Sequence, residues 1–397
     1  MGLHIYILYL AWSVILILGC LYWLVSAYYT YRLIAGVQVL EDIHPREPEK
    51  FPKVSLIVPA CNEGRTIEAA MESRLNEDYP NLEIILMDDR STDGTGDVVD
   101  RIARKYPQVK AIHITELPDG WLGKIWAMQK GLELATGDWL LFTDADVFFK
   151  KGTIRKAVSI CEQDGIDHLG LLPELQSSNF LLDLPISCFI RILCLQLKLW
   201  EVKNPKSKAF MGVGAFNLVR RSVFDKTPGL EWLKLEPGDD VALGLMMKNA
   251  GARPCLMNAR REVRVAWYTS LRQMAHATER APFTAYADYT LGKILLISAI
   301  IAILELSPFL ALLSIGIPWL QVLGLITSAV AVAVCAIINR WAGRPVLPSI
   351  LVPAGSIILI YLLVRSGFLA YRKGGFDWRG TFYPTGVLRK GRRIYLG

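Results

Sequence analysis

Two aspartates one residue apart, Asp144 and Asp146, follow the apolar run Trp139-Leu140-Leu141-Phe142 after a single threonine. A hard divalent cation suits such a pair, because Mg²⁺ takes oxygen ligands and completes its shell with waters and substrate phosphates. An Asp-x-Asp triplet is also common in solvated turns. Its weight here comes from the acidic residues that accompany it. Glu63 follows the apolar run Val54–Val58, and Asp88 and Asp89 end the run Glu83–Met87. Further on, Asp239 and Asp240 open a helical stretch, Val241–Asn249. Each has a local reading as well. Glu63 suits the positive end of a helix, and Asp88-Asp89 suits a turn. Asp93 fits a helix cap better than a ligand, and Asp239-Asp240 fit a cap with its dipole partner.

The elements that carry these residues alternate. Val54–Val58 reads as a strand, about Arg65–Leu75 as a helix and Glu83–Met87 as a strand. A helix running to Lys105 comes next, then a strand at Ala111–Thr115. A helix at Leu122–Ala135 is stopped by Gly137, and the strand Trp139–Phe142 succeeds it. This order implies a mostly parallel sheet flanked by helices, an α/β class. Ligands of such sheets bind beyond the carboxyl ends of the strands. Glu63, Asp88, Asp89, Asp144 and Asp146 all fall at that edge, so one phosphorylated ligand with a metal could use them together.

Around this region the chain is too apolar for a wholly soluble protein: 52% of its 397 residues are hydrophobic. Ile5–Tyr29 is uncharged over roughly 25 residues, enough to cross a bilayer core. It lacks a basic start and a small-residue cleavage site, so it reads as a retained anchor. Ile294–Ile315, Pro318–Ile338 and Leu347–Leu369 are three further candidate spans. Glu305 within them is either functional or bonded to a neighbouring helix. The division expected is an anchor at 1–39, a catalytic domain at 40–291, two to three spans in 292–370 and a basic interfacial tail at 371–397. Arg372, Lys373, Arg379, Arg389, Lys390, Arg392 and Arg393, with Trp378 and Tyr383, suit an anionic membrane surface. The net charge of +7 is modest and no base-reading module is visible, so nucleic acid is not an expected partner. Seven scattered cysteines suit a reducing compartment and a domain facing the cytoplasm. Three spans after one anchor would place the tail outside, against the positive-inside tendency.

Val58-Pro-Ala-Cys-Asn-Glu63, Asp88-Asp-Arg-Ser-Thr-Asp-Gly-Thr95, Gly123-Lys124, Asp144-Ala-Asp146 and Gly238-Asp-Asp240 together resemble the marks of family 2 glycosyltransferases with a GT-A fold. The likeness covers about Pro52 to Ala281. Gly120-Trp-Leu-Gly-Lys124, the terminal spans and Trp378-Arg-Gly-Thr381 resemble the hopene-associated or carotenoid-type branch. The resemblance implies that Pro59, Ala60 and Glu63 line the nucleotide base and ribose, with Asp89 at the uracil or ribose edge. Lys124 and Arg280 would approach the diphosphate, Asp144 the ribose and metal, and Asp146 the metal itself, Mg²⁺ or Mn²⁺. Asp240 would be the general base of an inverting transfer, with Asp239 beside it.

The same resemblance implies a multi-pass cell-membrane enzyme that moves a sugar, UDP-linked, to a hydroxyl of a lipid or isoprenoid-type acceptor. Processive relatives carry Gln-x-x-Arg-Trp, whereas Ala277-Thr-Glu-Arg280-Ala281 keeps only the arginine, which favours a single transfer. A polysaccharide synthase and an inactive scaffold are the alternatives, though no acidic position is missing. A transporter would need polar residues through the spans, and Glu305 stands nearly alone. Phe180–Trp200 reads equally as an interfacial amphipathic helix or a core helix, and Leu271–Tyr289 likewise. His276 suits a surface or core position rather than catalysis.

Overall fold

The computed structural model describes residues 3–279 and 288–395. Helix α1 (Leu3–Gly36) leads into the alternating unit β1 (Val54–Ala60), α2 (Ile67–Leu75), β2 (Leu82–Asp89), α3 (Thr95–Lys105), β3 (Val109–Ile114), α4 (Gly123–Leu134) and β4 (Trp139–Phe142). β1 is buried along nearly its whole length, as a strand covered by helices on both faces should be. Register aligns the carboxyl ends: Ala60 lies beside Asp88, Asp88 beside His113, and Ile57 beside Phe142. The expected α/β sheet is therefore present.

The second half extends it. β5 (Val147–Phe149), α5 (Thr153–Asp164), β6 (His168–Leu172), β7 (Glu174–Ser177), α6 (Phe180–Gln196), β8 (Asn217–Arg220), α7 (Arg221–Phe224), α8 (Asp239–Asn249), β9 (Pro254–Asn258), β10 (Val263–Tyr268) and α9 (Leu271–Ala277) come in turn. The seven-stranded sheet runs β3-β2-β1-β4-β8-β6-β9, with β8 antiparallel to both neighbours. A smaller sheet, β5-β10-β7, starts directly after Asp146. At α3 the cap is Gly94 rather than Asp93. Asp93 instead accepts Thr95 N at 3.1 Å and Gly64 N at 3.0 Å, tying the turn after β1 to the helix start.

Helices α10 (Leu291–Leu312) and α11 (Pro318–Trp341) pack with α1, and α12 (Val352–Lys373) packs on α10 and α6. Five helices have the length and apolarity to cross a membrane: these four, with α12 taken from the turn before it, and Phe180–Glu201. The last has 67% of its span buried inside the fold, so Phe180–Trp200 is a core helix rather than a face laid open to lipid. Glu305 accepts from Tyr22 Oη at 2.9 Å and from Ser356 Oγ at 3.1 Å, and pairs with Arg191. It joins four helices, the second of its two readings.

α1, at Leu16, meets the end of α10 and the start of α11 at Ala311, Ile317 and Leu320. The C-terminal ends of α1 and α11 meet the catalytic domain. There Gly36 lies against Trp200, and Asn258 Nδ2 donates to Trp341 O at 2.6 Å. α12 touches its neighbours at several depths, its first turns meeting Glu305 in the far half of α10 through Ser356 at 3.1 Å. Ser349, just before it, bonds Asn339 near the end of α11 at 2.9 Å, and Gly367 packs on Ile294 at the start of α10.

The tail forms a hairpin, β11 (Gly375–Trp378) and β12 (Thr381–Pro384), then α13 (Thr385–Gly391). Its two-residue turn, Arg379-Gly380, has positive φ at both positions, 49° and 80°, the twist that matches tight hairpins. Part of the basic tail is bonded to the domain, while Arg372, Lys373, Arg389 and Lys390 stay exposed. Arg392 pairs with Asp288 at 2.9 Å, while Arg393 N donates to Glu236 at 2.6 Å and Arg393 Nε to Trp232 O at 2.7 Å. Leu388 and Ile394 are buried against the domain. Charges that look unpartnered in the sequence find acceptors on distant segments.

Candidate functional site

Pro59, Ala60, Glu63, Asp89, Lys124, Asp144 and Asp146 line one cleft of about 220 Å³ at the carboxyl edge of the sheet. Each reaches it from a strand end or the turn after it, except Lys124, which comes from the first turn of α4. A smaller adjoining recess holds Asp239 and Asp240 at the start of α8, together with Lys124, Asp144, Gly214 and Asn217. The candidate donor, metal and base residues with described positions thus all lie in the cleft or in the recess beside it. Arg280 lies outside the described residues.

Lys124 is the hinge of the electrostatics. Its Nζ stands 2.8 Å from Asp144 Oδ1 and 3.0 Å from Asp239 Oδ2. Burial alone would lower its pKa, but Asp144, Asp239 and Asp240 outweigh that and keep the ammonium charged. Asp239 is buried and its carboxylate is taken by the lysine, so it positions Lys124 rather than meeting a substrate.

Asp240 differs. Its Oδ2 accepts Gly214 N at 2.9 Å and its Oδ1 accepts Val241 N at 2.8 Å, which fixes the carboxylate's orientation. Burial raises its pKa, with Asp144 adding to the rise, against Lys124 and the two backbone donors. A carboxylate moved toward neutrality is a better proton acceptor. Gly214 stands between Asp240 and Asp144. A Cβ there would lie 2.8 Å from Asp144 Oδ2 and 3.4 Å from Asp240 Oδ2, so the two carboxylates are near neighbours across one glycine.

Asp146 accepts no side-chain partner among the described residues. Burial, then Asp144 and Glu63, push its pKa up to about 6. No three His, Cys, Asp or Glu side chains converge on one point among the described residues. A cation held by Asp144 and Asp146 would have places left for phosphate oxygens and water. Behind them lies Arg74, fully buried on α2, donating to Asp144 O at 2.5 Å and Val147 O at 2.7 Å. Burial lowers its pKa to about 10, which leaves it charged and holding the Asp144–Val147 turn in place.

Several other residues take places that sequence reasoning did not assign. Asp88 turns away from the cleft to His113, at 3.2 Å. Arg90 grips Asp89 with two donors, at 2.7 and 3.1 Å. Trp378, Arg379 and Tyr383 of the tail hairpin form a wall of the cleft. An arginine on the buried stripe of α2 was a readable signal for Arg74; Gly214 and the hairpin offered none beyond their residue types. His276 is on the surface, 3.4 Å from Glu279.

Residues 55–227 match the family model described as Glycosyl transferase family 2. The probable glycosyltransferase YdaM of Bacillus subtilis is 27% identical over 244 residues, 58% of this chain and 56% of that protein. A PGL/p-HBAD biosynthesis glycosyltransferase of Mycobacterium bovis is 30% identical over 180 residues, 44% of this chain and 67% of its own length. The chain spans little more than half of YdaM and 26% of YibD from Escherichia coli. Among solved structures, the mannosyltransferase PcManGT from Pyrobaculum calidifontis, in complex with GDP-Man and Mn²⁺, superposes with a TM-score of 0.52 at 20% identity. That match covers 88% of this chain and 96% of the other.

Proposed function

The chain belongs to glycosyl transferase family 2, and we propose that it works at a membrane, transferring one sugar from a nucleotide-sugar to a hydroxyl of a lipid-like acceptor with inversion. The observation that carries this reading is Asp240, fixed by two backbone donors and set beside Asp144 across Gly214. In the transfer, the acceptor O–H gives its proton to Asp240 while its oxygen attacks the sugar C1. The C1–oxygen bond to the diphosphate breaks on the opposite face, and the anomeric configuration inverts. Lys124 supplies positive charge near the departing diphosphate, held there by Asp239 and Asp144. Mg²⁺ or Mn²⁺ on Asp144 and Asp146 would further neutralise that charge as a Lewis acid. PcManGT, which shares the fold, holds GDP-Man and Mn²⁺, in keeping with a metal-assisted nucleotide-sugar site.

The acceptor side rests on the helices. α12 and the turn before it expose Leu347, Ile350, Ile357, Tyr361 and Phe368, then run directly into the hairpin at the cleft. An acceptor with an apolar tail could thus lie along a bilayer while its head reaches Asp240. The likeness to the hopene-associated branch points to the same acceptor class.

Topology is argued from which ends meet. α1, α10 and α11 each join the domain end of the bundle to the far end, whereas α12 is entered from Ser349 beside the end of α11 and finishes beside the start of α10. Three crossings put the catalytic domain and the basic tail on one face of the membrane. On this reading the basic tail lies on the side that the positive-inside tendency favours, and seven free cysteines accord with a cytoplasmic face.

Incubating the purified protein with labelled UDP- and GDP-sugars, Mn²⁺ and a lipid extract tests the reading. Label should pass to the lipid phase and be lost in Asp240→Asn. No lipid-borne label with any donor, or undiminished label in that variant, would refute it.

A further inference from the structure

The tail hairpin is joined to the cleft by specific bonds. Arg379 Nη2 donates to Glu63 Oε1 at 2.7 Å and its Nη1 to Cys61 O, across more than 300 residues of sequence. Tyr383 meets the backbone N–H of Gly123, next to Lys124. Trp378 completes the wall.

The cations of this cleft are not equivalent. Lys124 is held by two carboxylates, and Arg90, only 25% exposed, is bonded through Nε and Nη2 to the carboxylate of its neighbour Asp89. Arg379 keeps 43% of its side chain exposed and faces the same space as Asp146. A guanidinium carries five donors in a planar fork, and the two bonds above leave donors over for phosphate oxygens. The hairpin hangs from α12 through Gly374, so this cation is presented to the cleft by a membrane helix.

We propose that the tail hairpin is a wall of the donor site and that Arg379 binds the diphosphate of the nucleotide-sugar. This rests on the reading of the cleft as a nucleotide-sugar site. It assigns the C-terminal segment a ligand, an organic diphosphate, and makes donor binding depend on the hairpin's docking.

Titration calorimetry on the full chain in detergent, with MnCl₂ and UDP, GDP, UMP or GMP, tests it. For Arg379→Ala, diphosphate affinity should fall about ten- to a hundredfold, the worth of a charge-assisted hydrogen bond. Monophosphate affinity should change less than about threefold. Arg379→Lys should recover part of the loss. Arg389→Ala, whose guanidinium touches Asp288 outside the cleft, should bind all four nucleotides as the unaltered protein does. Unchanged UDP and GDP affinity in Arg379→Ala overturns the proposal, as does an equal loss for mono- and diphosphates, which would mark a wall without a phosphate contact. If the unaltered protein binds neither UDP nor GDP, the donor reading itself falls, and this inference with it.

Discussion

Gly214→Ala is a minimal perturbation of the proposed catalytic pair. Gly214 donates its N–H to Asp240 at 2.9 Å and accepts Asp144 N at 3.0 Å, so its backbone must stay where it is. Its φ is not left-handed, and alanine can adopt the same conformation. The added Cβ would sit 2.8 Å from Asp144 Oδ2, about half an ångström inside an ordinary C···O contact. Asp144 must give way, because Asp240 at 3.4 Å is already close to normal contact. Its other oxygen is bonded to Lys124 at 2.8 Å, so the movement also disturbs the lysine. Displacement of a positioned group by about 1 Å costs on the order of a hundredfold. Roughly half that shift should lower kcat/KM by about ten- to thirtyfold. The carboxylate is 40% exposed and can swing outward, so the stability cost should stay near 1 kcal/mol, at the low end for overpacking. Sugar-transfer kinetics beside thermal melting in detergent separate the two effects. Activity within twofold of the unaltered protein, at an unchanged melting temperature, would refute the placement of Asp144 and Asp240.

Lys124→Met should abolish diphosphate binding and destabilise the fold by roughly 3 kcal/mol, the lower range for a broken buried pair, because Asp239 is left buried without its cation. Lys124→Met with Asp239→Asn should recover most of the melting temperature and none of the binding; continued instability would show that the pair is not what holds this corner. Asp146→Asn should stabilise the protein at pH 7.5. With a folded pKa raised to about 6, ionisation opposes folding at neutral pH, and acidification through 6 toward the unfolded value near 4 relieves it. The gain, on the order of 1–2 kcal/mol, should shrink by pH 5 while Mn²⁺ affinity is lost at both; a lower melting temperature at pH 7.5 would contradict it. Finally, Gly386→Cys and Ile315→Cys, in a background without Cys61 and Cys255, should label from opposite sides of sealed vesicles, Ile315 being 91% exposed at the far end of the bundle. Labelling from one side would refute three crossings.

The sheet was legible because each strand is a short apolar run closed by a turn, and Asp89, Asp144 and Asp146 stand at the ends of those runs. Covered parallel strands leave such a pattern whatever packs on them. β8 was not legible: its four residues, Asn217–Arg220, have no flanking pattern, and its direction depends on β4 and β6. Asp239 and Asp240 were visible as a helix-opening pair with Asp240 expected as the base, but their different partners were not. That distinction arises from which of them Lys124 reaches, 115 positions away in the chain. Arg379 was visible as a basic residue and was assigned to lipid, since a charge with no local partner reads as solvated surface.

That misassignment has a physical root that also bears on mechanism. The contacts from Arg379 to Cys61 and Glu63 close a loop of more than 300 residues, and loop-closure entropy grows only slowly with length. A bond so distant in sequence therefore costs little more than a near one, provided that something else brings the ends together. Here the bundle does: α12 returns to the side on which α11 ends, and the buried Leu388 and Ile394 seat the tail on the domain. The hairpin's position is thus set from two sides, by the helix α12 that leads into it and by its own bonds to the turn after β1 and to Gly123. A cleft walled in this way has one face fixed by the α/β core and the other formed by a hairpin that is joined both to that core and to α12.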